Sequence, residues 1–195
     1  MTIMKRRERS RKLILDAADA AFRELGFAET SIEEIAGRAG LTRKTVYNLF
    51  RSKEEIALCL IALVEAQDAG YRVRMAANEN VLSLLELVLL DSAGWCLANP
   101  SLARLALSPA VRPSLDPPSG RPSFQGLVRD ILALGQRQGI IRKDEDPNFM
   151  TLVLLGVFGQ SMLTALSTGS FSGQEIRRIV RILVEGIGSA AQPLS

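Results

Sequence analysis

Apolar residues recur every three to four positions through most of this chain, and no stretch alternates apolar with polar residues as a half-buried strand does. The pattern predicts an all-α protein. A first helix carries Ile14, Ala18, Ala21, Phe22 and Leu25 on one face, and Gly26 ends it. A second starts at Thr30-Ser31, where Ser31 and Glu34 have the spacing of a capping box. Its stripe is Ile32, Ile35, Ala36 and Ala39, and Gly40 breaks it. A third spans Thr42 to about Phe50. A fourth starts at Ser52, with Glu55 in the box position, and continues to about Gly70 or beyond. Further helices are expected over 80–98, 101–107, 123–138, 147–167 and 173–189. The five prolines of residues 108–123 mark a loop.

The third helix departs from the rule of a broad apolar stripe. Only Val46 and Phe50 form its seam, while Arg43, Lys44, Thr45, Tyr47 and Asn48 project away from it. Thr42 caps it, and the residue three further on is Thr45 instead of the glutamate that the second and fourth helices carry. A glutamate there would stabilise the helix but repel a phosphate. The outward side chains are donors suited to phosphates and base edges. Lys53 falls in the first turn of the fourth helix, where a cation opposes the helix dipole. A phosphate shared by that ammonium and the free N–H groups of the helix would account for it.

Charge sharpens the picture. Residues 1–53 hold twelve Lys/Arg against seven Asp/Glu, a surplus of five, whereas residues 54–195 hold twelve against fourteen. The basic excess therefore sits in the N-terminal part, much of it in KRRERSRK, residues 5–12. Such asymmetry points to one end that faces nucleic acid. The chain has no histidine, which removes the commonest metal ligand and general base. No nucleophile–base pair stands in for it, so neither catalytic residues nor a metal or cofactor are expected. Cys59 and Cys96 are far apart and read as free thiols. Residues 147–174 carry no charge and resemble a membrane span in length. Asn148, Gln160, Ser161, Thr164 and Ser167 interrupt them, and they lack basic flanks and aromatic belts, so a buried helix is expected and no membrane partner.

Two helices joined by a Gly-Leu-Thr turn, with a basic segment before them, describe a helix-turn-helix. The run ILDAADAAFRELGFAETSIEEIAGRAGLTRKTVYNLFRSKEEI resembles the DNA-binding domain of the TetR family of bacterial transcriptional regulators. It follows that family's order of alanine-rich helix, Gly-aromatic, Thr-Ser, Ile-Ala, Ala-Gly-Leu-Thr, Thr-Val-Tyr, Phe and Ser-Lys-Glu. The stretch LGQRQGIIRKDEDP followed by two apolar helices is similar to the ending of many members. The resemblance implies contacts with double-stranded DNA, at bases or phosphates, from Thr42, Arg43, Lys44, Thr45, Tyr47 and Asn48, and a phosphate contact from Lys53. Two positions depart from the usual pattern. Glu33 stands where a basic residue is common, and it either accepts from a cytosine amine or simply faces its own helix N-terminus. Leu49 replaces a residue that is commonly polar.

The organisation expected is a three-helix reading domain over 1–53 and a larger helical ligand-binding and dimerisation domain over 54–195. A homodimer would form through the helices near 147–167 and 173–189. In the first, Gly156, Gly159 and Ala165 would admit a second backbone, and Leu155, Val157, Phe158 and Met162 would fill the gaps. In the second, Ile176, Ile179, Val180, Leu183, Val184 and Ile187 make the stripe. Tyr71, Met75, Trp95, Phe124, Phe149 and Met150 are the large side chains expected around a cavity for an apolar or mildly polar effector. The function that follows is a ligand-responsive regulator of the bacterial cytoplasm, a repressor released from a pseudopalindromic operator by a small molecule. An activator or a ligand-independent regulator fits the same residues. A small-molecule carrier with a vestigial reading head is the alternative from another class.

Overall fold

Every segment with a three-to-four-residue apolar period becomes a helix in the computed structural model, which describes residues 2–108 and 121–187. In chain order these are α1 (Thr2–Leu25), α2 (Ile32–Arg38), α3 (Arg43–Tyr47), α4 (Lys53–Glu65), α5 (Ala69–Ala76), α6 (Val81–Ala98), α7 (Pro100–Ala106), α8 (Phe124–Gln138), α9 (Pro147–Thr168) and α10 (Gly173–Ile187). No strand occurs among the described residues. The loop expected over 108–123 falls almost wholly outside them, as do the last two residues of the segment 173–189 and the side chain of Ile187.

The chain divides into two compact units. One comprises Met1–Val64 with Asn99–Ala106, so it takes in α4 and α7 beyond the segment 1–53. Its core is Ile14, Ala18, Ala21, Phe22, Ile35, Val46, Phe50 and Ile56, all nearly solvent-free. Leu25, expected on the buried stripe of α1, is exposed instead. Gly26 follows it at φ +84, a left-handed conformation that lets the chain leave the helix. Residues 5–12, the basic segment, are helical. They continue α1, with Lys5, Arg6, Arg7, Arg9 and Lys12 exposed along its first turns.

The other unit comprises Glu65–Ala98 and Leu107–Ser195. Here α8 packs against α9 and α6, and α10 lies on α6 and α9. Leu84, Leu85, Leu89, Ile131, Leu132, Leu154 and Met162 form its solvent-free centre. Gly135 is required where α8 closes on its neighbours: a Cβ there would lie 2.5 Å from Ile141 Cγ1 and 2.9 Å from Val81 Cγ2. Both α6 and α9 are long and apolar enough to cross a membrane by length and composition. In the fold they are packing helices, with Leu84, Leu85, Val88 and Leu89 of α6 and Met150, Leu154, Phe158 and Met162 of α9 turned inward.

The fourth helix does not run to Gly70. It stops at Glu65, and α5 begins at Ala69. The side chains around the break find distant partners. Glu65 accepts from Arg121 at 3.2 Å and from the Phe124 N–H at 3.4 Å, and Asp68 accepts from Arg72 at 2.8 Å. Arg72 also pairs with Asp130 on α8. No local pattern announces this break.

Candidate nucleic-acid interface

The helix-turn-helix is assembled by caps legible in the sequence. Ser31 Oγ accepts from the Glu34 N–H at 3.1 Å, and Thr42 Oγ1 accepts from the Thr45 N–H at 3.2 Å. Between α2 and α3, Gly40 adopts φ +64, and the Leu41 N–H closes the turn on the Ala36 carbonyl at 2.9 Å. Helix α3 is short, yet it presents its residues as the pattern requires. Val46 and Phe50 are buried, while Thr42, Arg43, Lys44, Tyr47 and Asn48 are exposed and Thr45 is half-buried. Six of the seven proposed DNA-contacting residues thus lie on one short helix and its caps, with donors turned to solvent.

Lys53 is used differently. Its ammonium donates to the carbonyls of Phe27 at 2.6 Å, Thr30 at 2.8 Å and Ala28 at 3.2 Å, and lies 4.5 Å from the centre of the Phe27 ring. An ammonium has three N–H donors, so all three are taken within the protein. The N-terminus of α4 is covered as well. Ser52 Oγ accepts from the Glu55 N–H at 3.2 Å, and Glu55 Oε2 accepts from the Arg51 N–H at 2.6 Å. Glu54 is held below the usual carboxylate range by its own backbone N–H and then by Ser52. Through those carbonyls Lys53 braces the α1–α2 turn against α4. The unfavourable place of a cation at a helix start is offset by three carbonyls.

Two further features have no local signal. Arg11, counted among the basic segment, donates to Cys59 Sγ at 3.1 Å and lies 4.4 Å from the centre of the Phe50 ring, fastening α1 to the seam of the reading unit. Arg43 pairs with Glu33 of α2 at 2.6 Å and stands 6.0 Å from the Tyr47 ring centre. Its guanidinium is held above its ordinary pKa first by hydrogen bonding to Tyr47 and then by the Glu33 charge. The departure of Glu33 from the usual residue type was visible in the sequence. Its partner, ten residues on across the turn, was not.

In the second unit the six proposed ligand residues have different surroundings. Tyr71 donates to Asp91, Phe124 lies 6.2 Å from the Phe158 ring, and Met75 and Trp95 are half-buried. Met150 is buried and Phe149 is exposed. An open groove of about 800 Å³ in this unit runs between α6 and α10, lined by Leu82, Glu86, Arg177, Val180, Arg181 and Val184 among others. None of the six lines it. The expected dimer residues divide. Phe158, Met162 and Ala165 of α9 and Ile176 and Val180 of α10 are buried in their own unit, so they are not free for a partner. A stripe of α9 stays uncovered: Phe149, Val153, Gly156 and Val157 are exposed, as is Ile182 on α10.

Comparison with known proteins places these features. No curated protein matches the sequence. Solved structures of similar fold include FadR of Thermus thermophilus, a TetR family transcriptional repressor in complex with lauroyl-CoA. It is 23% identical with a TM-score of 0.73, over 95% of this chain and 98% of that one. FadR of Bacillus halodurans, a fatty acid degradation regulator, is 18% identical with a TM-score of 0.67, over 91% and 96%. FadR of Bacillus subtilis in complex with stearoyl-CoA is 18% identical with a TM-score of 0.64, over 93% and 99%. Residues 14–59, which hold the core of the reading unit, match the family described as bacterial regulatory proteins, tetR family. That match covers the helix-turn-helix, and the solved structures share the all-helical fold around it.

Proposed function

We propose that this regulator is a repressor that binds a pseudopalindromic operator as a homodimer and leaves it when a small-molecule effector binds. The observation that carries the DNA half is the exposed face of α3, where Arg43, Lys44, Tyr47 and Asn48 stand free of the buried Val46–Phe50 seam. Thr42 and Thr45 complete that face at the helix start, their hydroxyls 2.9 Å apart. Arg and Lys supply charge to phosphates, and Asn and Arg have the bidentate geometry for adenine and guanine edges. A helix this short covers few base pairs, so discrimination calls for two copies one helical turn apart. The uncovered α9 stripe, with Ile182 of α10, supports a two-fold interface. Its work is in the bacterial cytoplasm, with the DNA.

Release requires an effector that binds the non-DNA-binding arrangement more tightly, with operator DNA weakening the effector by the same factor. Long-chain acyl-coenzyme A thioesters, bound by two of the similar structures, are the first class to try. The experiment is selection of bound fragments from genomic DNA, followed by titration of the selected duplex with and without acyl-CoA at several salt concentrations. Specific enrichment and a log–log salt slope of magnitude about 5 or more are expected for several neutralised phosphates per dimer. No enrichment with a flat salt dependence would end the DNA-binding reading. Equal effector affinity with and without operator would end the sensing one.

A further inference from the structure

Arg43 is the long cation nearest the start of α3, and the structure does not leave it free. Glu33 Oε1 lies 2.6 Å from its Nη1, and both side chains are more than half exposed. The carboxylate belongs to α2 and the guanidinium to α3, so the pair bridges the two helices of the reading motif on its open side. Lys44, the next residue, makes no such pair among the described contacts and remains exposed. A carboxylate on a surface that meets a polyanion is costly wherever the DNA lies. It repels phosphates and takes from Arg43 part of the charge that would neutralise one. That cost falls on every sequence alike.

A benefit arises only at the right base. An arginine has five donors in a planar fork, and Glu33 engages Nη1. With five donors, Arg43 can keep Glu33 and the neighbouring Tyr47, whose ring lies 6.0 Å away, and still address a guanine O6/N7 edge. Held this way, the side chain loses less rotamer freedom when it docks.

We infer that Glu33 is a specificity-determining, positioning residue for DNA reading: it holds Arg43 in place for a base edge and suppresses the binding of Arg43 to phosphates of any sequence. The inference rests on the proposed DNA-binding function. It also gives a use to a residue type that is otherwise out of place on a DNA-facing helix.

The test uses the full-length chain and two duplexes, the selected operator and a scrambled sequence of equal length, across 50–200 mM salt. Glu33→Gln keeps the shape and removes the charge. It is expected to tighten binding to the scrambled duplex and to steepen that duplex's log–log slope by about 0.9 per protomer, since Arg43 then neutralises a phosphate. Over that fourfold salt range the extra slope amounts to about 3.5-fold per protomer. Operator affinity should rise less or fall, so the specificity ratio drops. In an Arg43→Ala background Glu33→Gln should leave the ratio unchanged. Circular dichroism shows whether the variants keep their helices. An unaltered ratio and slope in folded Glu33→Gln, or the same ratio drop without Arg43, overturns the inference while leaving the DNA-binding reading intact. Failure of the wild type to bind either duplex would strike that reading itself.

Discussion

Replacing Lys53 by methionine separates two roles that one residue type allows. Methionine keeps the length of the apolar stem and its helix propensity and removes the charge and donors. The lost contacts are three carbonyl acceptors at 2.6, 2.8 and 3.2 Å from one ammonium. A hydrogen bond with one charged partner contributes about 1.5–3 kcal/mol. The three here share a single half-buried donor, and water can reach part of the site, so their sum is much less than threefold. Removing a cation from the first turn of α4 returns about 0.3–1 kcal/mol through the helix dipole. The net expected cost is on the order of 1–2 kcal/mol, which for a chain of this length lowers Tm by about 3–6 °C. Thermal and urea unfolding followed by circular dichroism measure it. DNA binding supplies the second arm. A residue that braces the fold leaves the salt slope of the folded protein unchanged, whereas one that neutralises a phosphate removes about 0.9 per protomer. Unchanged stability together with a shallower slope would refute the brace and restore the phosphate contact.

Gly156→Leu tests the proposed dimer. A Cβ at Gly156 has no atom within 4 Å, so a monomer should tolerate leucine, and sedimentation should reveal more monomer with undiminished helicity only if α9 meets a partner. Gly159 is a poorer probe because its Cβ would touch Leu107 at 3.5 Å. The two thiols should differ: burial pushes Cys96 up to about 11, so it should resist a thiol reagent at pH 8 until denaturant is added, and half-buried Cys59 should react first. Stability should be flat between about pH 5 and 8, since the chain has no histidine. It should fall in acid as the carboxylates held low in the folded state protonate. Among these are Asp144 at about 2 beside Arg142, Glu79 beside Arg74, Glu54 beside its own N–H and Ser52, and Asp130, which burial raises but Arg72 and Arg129 hold down. Their depressed values make the contribution present above the unfolded pKa and lost below it. For Cys96 the raised value works the other way, and stability should decline above about pH 8.5, where only the unfolded thiol ionises. Urea midpoints across pH 2–10 check both limbs.

The positions of most helices, their caps and the two faces of α3 were properties of the sequence. A helix repeats every 3.6 residues, so burial of Val46 and Phe50 and exposure of Arg43, Lys44, Tyr47 and Asn48 follow from spacing alone. Ser31 and Thr42 act on N–H groups three residues away, within the reach of local reading. What the tertiary structure decided were the partners. The ammonium of Lys53 meets carbonyls 23 to 26 residues earlier, and Glu65, at the break, meets Arg121 and Phe124. Arg43 could have faced only solvent, and it is Glu33 across the turn that holds it. The same limit governs α9 and α10. An apolar stripe tells that a face will be covered, but hydrophobic burial has no direction. Only the packed chain shows that Phe158, Met162, Ile176 and Val180 are covered by their own unit and that Val153, Val157 and Ile182 are not.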